Sequence, residues 1–232
     1  MKFEEQLDKM RLDWDERARQ NARFFVNTGR EQWTDEEFRE SGRHTVEEEI
    51  LTDMINICQG KDPKQMKVLE IGCGAGRVTR ALSEVFGEVW AVDVSGEMIR
   101  QAGEFLRDRP NVHLLQNNGT DLRAITENES FDFAFSTIVF QHIPSRDVIV
   151  RYVREVHRLL RSGALFKFQV QGDTSFETKP DDTWLGVSFS DAQAVEMAES
   201  CGFEARHRHG AGQQYFWLWY FKKPRRAMNS VA

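Results

Sequence analysis

The stretch that most limits how this chain can fold is Val68-Leu69-Glu70-Ile71-Gly72-Cys73-Gly74-Ala75-Gly76-Arg77, followed by Val89-Trp90-Ala91-Val92-Asp93-Val94-Ser95. The first part reads as a short buried strand that runs into a glycine-rich turn and then a helix. The second reads as another buried strand that ends in an acid. Together they have the layout of a nucleotide-type ligand site on a doubly wound sheet. Glycine admits positive φ and lets backbone N–H groups approach a ligand with no Cβ in the way. Asp93 lies 23 residues after Glu70, a spacing that sets an acid beside a ribose at the next strand tip. The spacing of the glycines separates two ligand classes. Dinucleotide folds use Gly-x-Gly-x-x-Gly, with the pyrophosphate on the helix N-terminus. Here the third glycine comes one residue early, and Glu70 stands just before the turn. An acid there repels a pyrophosphate and suits a cationic ligand end.

The rest of the chain supplies the elements such a sheet needs. Phe3, Leu7, Met10, Trp14, Ala18, Ala22 and Phe25 recur at helical spacing and predict a helix over 3–25, ended by Asn27-Thr28-Gly29. Thr34-Asp35-Glu36-Glu37 predicts a capping box that opens a second short helix. Ser41-Gly42-Arg43-His44 reads as a loop, and Thr45 as the cap of a third helix through about Ile57. From Lys67 onward strands and helices alternate. Strands are expected at 67–71, 88–93, 111–116, 131–136 and 164–171, and helices at about 77–86, 96–107, 144–160 and 191–201. That alternation predicts a parallel sheet with right-handed crossovers. Strands at 203–208 and 215–222, joined by Gly210-Ala211-Gly212, predict a closing antiparallel hairpin. The 232 residues suffice for one α/β domain with additions.

The turn and the terminal hairpin resemble those of class I S-adenosylmethionine (SAM)-dependent methyltransferases, and the chain is similar to small-molecule-type bacterial members. The resemblance covers about residues 66–222. It implies an α/β, doubly wound, mostly parallel seven-stranded sheet with a reversed C-terminal hairpin. Residues 1–65 would then be an N-terminal helical cap, 172–190 a substrate-loop insertion, and 223–232 a flexible tail. It also implies SAM as cofactor, with the cofactor contacts drawn from Glu70, Gly72, Cys73, Gly74, Gly76 and Arg77. Gly72 and Gly74 would give room for the methionine part, and Glu70 would orient the turn or face the ammonium group. Asp93 would take the ribose hydroxyls, with Val94 and Met98 on the adenine face. Asn118 stands where relatives carry an Asp that accepts from the adenine amino group; an Asn carbonyl can still accept, and Gly119 offers its N–H. Ser136 and Thr137 would lie near the sulfonium, Gln141 and His142 near the substrate edge, and Arg43 near the SAM carboxylate.

His142 has two readings. One is a general base, since an ordinary imidazole accepts a proton near neutrality. The other is a residue that bonds backbone and fixes its loop. Methyl transfer from an activated sulfonium depends first on alignment, so the chemistry needs no strong base. Trp14, Phe24, Phe25, Trp33 and Phe38 are candidates for the inner face of the cap. Phe176, Trp184 and Phe189 are candidates for the opposite wall. Lys167 and Gln169 alternate towards that end and face either the pocket or a helix. Aromatic walls favour an enclosed, partly apolar acceptor site and a small molecule. A net charge of −6 argues against a nucleic-acid partner. RNA or protein as acceptor, and a non-catalytic SAM-binding role, remain the alternatives. Three cysteines and six histidines show no metal-ligand spacing. Neither a signal peptide nor a membrane span is legible, and a cytoplasmic monomer or homodimer is expected.

Overall fold

The computed structural model describes residues 2–126, 128, 130–175, 179 and 181–224. Phe176 and the tail from Arg225 lie outside the described residues. Three helices come first: α1 (Phe3–Val26), α2 (Asp35–Glu49) and the short α3 (Met54–Cys58). The αβ alternation follows, with β1 (Lys67–Ile71), α4 (Arg77–Val85), β2 (Glu88–Asp93), α5 (Gly96–Phe105), β3 (Val112–Gln116) and β4 (Phe131–Ser136). The chain closes with α6 (Arg146–Leu159), β5 (Leu160–Gln171), α7 (Asp191–Ser200), β6 (Phe203–His209) and β7 (Tyr215–Lys222). No helix among the described residues is long and apolar enough to cross a membrane.

The strands form one seven-stranded sheet in the order β3-β2-β1-β4-β5-β7-β6. β1 pairs in parallel with both β2 and β4, while β7 runs antiparallel between β5 and β6. The chain winds outward from β1 to β3, returns to β4 beside β1, and winds the other way. The topological switch therefore falls between β1 and β4, and a crevice opens above their carboxyl ends. Val68, Leu69 and Ile71 in β1, and Phe133 to Phe135 in β4, are buried. These strands are apolar on both faces because helices cover both. One core layer gathers Val153 and Val156 of α6 against Phe166 and Phe168. The other gathers Val46, Ile57, Val78 and Leu82 against Val68, Phe133 and Phe135.

The expected loop at Ser41-Gly42-Arg43-His44 is not a loop. α2 runs unbroken from Asp35 to Glu49, opened by the expected capping box at Thr34 and Glu37. Gly42 is a packing residue here: a Cβ would lie 2.1 Å from the Arg77 carbonyl oxygen, so the glycine is what lets α2 sit on α4. The expected third helix from Thr45 is the end of α2, a 3₁₀ turn at Leu51–Asp53, and α3. α1 also departs from a single straight helix. It kinks at Asn21, whose side chain accepts from Phe24 N–H and donates to the Glu31 carbonyl. Asn so used competes with the helix for its own backbone groups. β5 starts four residues before the expected Ala164, directly after α6.

Four further bonds fix α1 across the crevice. Asp15, buried on α1, accepts from Ser95 Oγ at 2.6 Å and Glu97 N–H at 3.1 Å, which caps α5 from outside. On the other side Thr183 Oγ1 donates to Asp13 at 2.7 Å, and Arg17 donates to the Thr183 carbonyl at 3.2 Å.

Candidate active site

The carboxyl ends of β1, β2 and β4 open into a pocket of about 820 Å³, its mouth included. α1 forms its outer wall through Met10, Trp14, Phe25 and Val26. The floor is the turn after β1. Gly72 N–H and Cys73 N–H both donate to the Val92 carbonyl, which ties that turn to β2. Gly72 (φ 73°) and Gly74 (φ 53°) occupy the left-handed region. A Cβ on Gly72 would lie 2.2 Å from Val139 Cγ2, and one on Gly74 would lie 2.5 Å from Val26 Cγ2. The glycines therefore make a cradle that any side chain would fill.

Two carboxylates face this cradle. Asp93, at the end of β2, accepts from Gly74 N–H and Ser95 N–H, both at 2.9 Å. Burial pushes its pKa up to about 6, against those N–H bonds. Glu70 is 3 % exposed, and its Oε2 has no hydrogen-bond partner. Burial raises its pKa to about 7, with the nearby Thr79 hydroxyl and the Arg77 guanidinium opposing and Asp93 adding to the rise. Burial lowers Arg77 to about 10. Arg77 Nη1 is spent on α2, donating to the Ser41 carbonyl at 2.7 Å and Thr45 Oγ1 at 2.8 Å. A buried carboxylate oxygen with no partner is costly. It fits a ligand that brings a positive charge and N–H donors, as the ammonium end of SAM does. The Cys73 thiol is buried and its pKa is pushed well above the ordinary value, chiefly by that burial, so it stays protonated. No group of three or more His, Cys, Asp or Glu among the described residues could hold a metal.

Of the residues expected at the site, Glu70, Gly72, Cys73, Gly74, Arg77, Asp93, Val94 and Met98 line the pocket. Gly76 lies beneath the turn against Leu106. Ser136 is buried and donates to the Ile71 carbonyl at 2.9 Å, joining β4 to β1. Arg43 is on α2 and points away from the pocket, paired with Glu84 at 3.2 Å. Asn118 is turned outward. Its Oδ1 accepts from Thr120 N–H at 2.9 Å and Asp121 N–H at 3.0 Å, so the turn itself uses the acceptor. Its neighbour Asn117 lines the pocket instead, with Oδ1 accepting from Tyr152 Oη at 3.2 Å and Gly119 N–H at 3.1 Å. Gly119 packs under Met10. Tyr152, which no pattern along the chain singles out, also lines the pocket, and burial raises the pKa of its phenol.

Thr137, Ile138, Val139 and Ile143 from the segment after β4 also line the pocket. Ile138 has φ 55°. For a β-branched residue this costs on the order of 1–3 kcal/mol and marks sites where surrounding structure enforces a geometry. Trp184 packs near Trp14, Phe25 and His142, with ring centroids 6.3, 6.0 and 5.0 Å away. Arg17 stacks over both tryptophans, at 4.7 Å from Trp14 and 5.4 Å from Trp184. Phe38 is not part of this wall; it sits in a small core with Trp33 and Phe105. Phe24 packs edge-on against Phe25, and Phe189 is buried in the main core.

His142 and Gln141 are buried just behind the pocket wall. His142 Nδ1 lies 2.6 Å from the Trp184 carbonyl, and its Nε2 lies 3.4 Å from Gln141 Nε2. Burial lowers the imidazole pKa to about 4, so the ring is neutral at physiological pH. Gln169 also reaches this region, donating to Gln141 Oε1 at 2.8 Å. Lys167, on the same face of β5, serves the helices instead, with Nζ 2.6 Å from the Glu49 carbonyl and 3.0 Å from Glu49 Oε2. His207 and His209 are exposed on β6, the edge strand.

Comparison with known proteins bears on the same residues. Residues 68–163 match the family described as "Methyltransferase domain". The chain is 26% identical over 128 residues to a malonyl-[acyl-carrier protein] O-methyltransferase of Ilyobacter polytropus, covering 54% of this chain and 46% of the relative. It is 37% identical over 105 residues to the enzyme of that name from Salmonella typhimurium, covering 44% and 37%. The chain thus spans less than half the length of these two relatives. In structure it resembles the magnesium protoporphyrin IX methyltransferase of Synechocystis PCC 6803 with bound SAH, with a TM-score of 0.64, 15% identity and 92% and 98% of the two chains covered. With the glycine cradle, the two acids and the reversed terminal strand in place, residues 68–163 form a methyltransferase domain, set in a seven-stranded sheet of the class I, SAM-dependent methyltransferase fold.

Proposed function

We propose that the protein transfers the methyl group of SAM to an oxygen or nitrogen of a small-molecule acceptor held in the pocket between α1 and the segment after β4. The observation that carries this reading is the Glu70 carboxylate, buried beside the glycine cradle with one oxygen unpartnered. When bound, SAM supplies a methyl already activated on a sulfonium. Glu70 and the cradle N–H groups would hold its amino-acid end, Asp93 the ribose hydroxyls, and Val94 and Met98 the adenine face. Asn117 would take over the polar contact expected of Asn118.

The acceptor side is apolar, which favours a small acceptor with a flat or aliphatic body. The two relatives and the structural neighbour are named for malonyl-[acyl-carrier protein] and magnesium protoporphyrin IX; those are acceptors of theirs, and they support the small-molecule class. The first 65 residues act as a cap in this reading, since α1 closes the pocket. His142 serves by position: a neutral buried imidazole with a pKa near 4 takes few protons at neutral pH. Rate would then come from alignment of acceptor, carbon and sulfur.

Calorimetry with SAM, SAH and NAD tests the cofactor assignment. SAM and SAH are expected to bind; tight NAD binding without SAM binding would sink it. A metabolite screen with methyl-labelled SAM then identifies the acceptor, and label found only in added RNA or protein would overturn the small-molecule assignment.

A further inference from the structure

Behind the pocket wall, four hydrogen bonds join end to end, the two central ones buried. Ile138 N–H donates to Gln169 Oε1 at 3.1 Å. Gln169 Nε2 donates to Gln141 Oε1 at 2.8 Å. Gln141 Nε2 faces His142 Nε2 at 3.4 Å, and His142 Nδ1 meets the Trp184 carbonyl at 2.6 Å. A carbonyl only accepts, so Nδ1 carries the imidazole proton and Nε2 is left to accept from Gln141. Every donor in the row then points the same way, from β4 towards the loop after β5. Gln169, Gln141 and His142 are 1%, 5% and 6% exposed, so water offers them no alternative partners.

The two ends of the row meet different parts of the pocket wall. One end is Ile138, held at φ 55° in the pocket lining. The other is Trp184, whose ring leans on Trp14 and Phe25 of α1. The Trp184 loop is also bound to the segment after β4 through Gly186 N–H to the Gln141 carbonyl at 2.7 Å and Val187 N–H to the Ile143 carbonyl at 3.0 Å. A Cβ on Gly186 would lie 2.5 Å from the Ile143 carbonyl oxygen, so the approach is close.

Building on the methyltransferase reading, we propose that Gln169, Gln141 and His142 are positioning residues which fix the Ile138 turn and the Trp184 wall as one unit, so that occupancy of the cofactor end sets the shape of the acceptor end. Side-chain amides suit the task because each has one accepting and one donating end, and a chain of them has a direction. Reversing one member forces the next to reverse. In the Gln169→Glu variant the introduced carboxylate still accepts from Ile138 but can no longer donate to Gln141. Gln141 must turn its NH₂ to that carboxylate and present its oxygen to His142 Nε2, which then needs a proton there. In the Gln169→Met variant the volume is kept and the row is cut.

The test uses the full chain with SAM or SAH as ligand. In wild type, long-range ¹H–¹⁵N spectra should show His142 protonated on Nδ1 alone; the Nε2–H form would overturn the proposal with no variant needed. In Gln169→Glu, Nε2 should gain a proton, and an unchanged tautomer would refute the directional row. Hydrogen exchange with and without SAM reads the coupling. In wild type, SAM should slow exchange at Gly74 and, several-fold, at Gly186 and Val187. In Gln169→Met the slowing at Gly74 should persist while that at Gly186 and Val187 is lost. Equal slowing in both proteins, or none at Gly186 and Val187 in wild type, overturns the coupling. If SAM fails to bind wild type at all, the methyltransferase reading falls instead, and the tautomer measurements still judge the row.

Discussion

In its proposed role, Glu70 should make cofactor binding depend on pH in a way that can be worked out in advance. Its carboxyl has a pKa of about 7 because burial disfavours the charge, with Arg77, Asp93 and the protonated Cys73 thiol around it. Before ligand arrives, such a group is about 90% protonated at pH 6 and about 10% at pH 8. A cationic ligand end requires the ionised form. Binding should therefore release close to one proton from Glu70 at pH 6 and almost none at pH 8. Affinity should fall about tenfold from pH 8 to pH 6, or about 1.4 kcal/mol. Asp93, at about 6, adds a factor of about two at pH 6. His142 contributes little, since its pKa of about 4 lies below this range. Calorimetry of SAM in two buffers of different ionisation enthalpy counts the protons directly. The Glu70→Gln variant should bind more weakly at pH 8 and keep only the twofold dependence from Asp93. A wild-type protein that releases no proton at pH 6, or a variant with the full tenfold slope, would refute the assignment. The same shift acts on the unliganded fold. A carboxyl whose folded pKa is raised stabilises fully at low pH, and that contribution is lost as pH rises through about 7. Glu70→Gln should therefore gain stability over wild type between pH 5 and pH 8, by about 2 kcal/mol.

Other residues give simpler expectations. Asp93→Ala should weaken SAM binding by about 1–3 kcal/mol through the loss of a buried hydrogen-bonding group, read by calorimetry at pH 8. Gly42→Ala should destabilise the fold by about 1–3 kcal/mol in denaturant titration, because overpacking against the Arg77 carbonyl outweighs the better helix propensity of alanine. Ile138→Gly should be neutral or stabilising by up to about 1 kcal/mol, since glycine accepts a φ of 55° without strain. Arg43→Ala should leave SAM affinity unchanged and cost no more than about 1 kcal/mol of stability, as its ion pair with Glu84 is partly exposed.

The sheet was legible because its signals are local and repeated. Continuous apolar runs mark strands buried on both faces, and the glycine turn with Glu70 and Asp93 fixes where the first two strands meet the crevice. The cradle, both acids, Val94 and Met98 followed from those strands. The sequence was less informative where an amide or a glycine has more than one use. Gly42 reads as a break, yet it is a contact surface for α4, and only the distance between two helices tells these apart. Asn117 and Asn118 are adjacent and chemically alike; which one faces the pocket depends on a turn whose N–H groups claim the Asn118 oxygen. Arg43 was placed by a loop that does not exist. The row from Ile138 to Trp184 joins residues 138, 169, 141, 142 and 184, and no pattern along the chain announces it.

The attachment of α1 has a kinetic consequence. The helix is bonded to α5 through Asp15 and to the far loop through Asp13 and Arg17, and it forms the outer wall of the pocket between them. An outward motion of α1 that widens the pocket must break one or both attachments. We expect exchange of spent cofactor for fresh to use that motion. The interval between turnovers should then track the frequency of that motion, so that weakening Asp15 shortens the residence of SAH before it touches the speed of the methyl transfer itself.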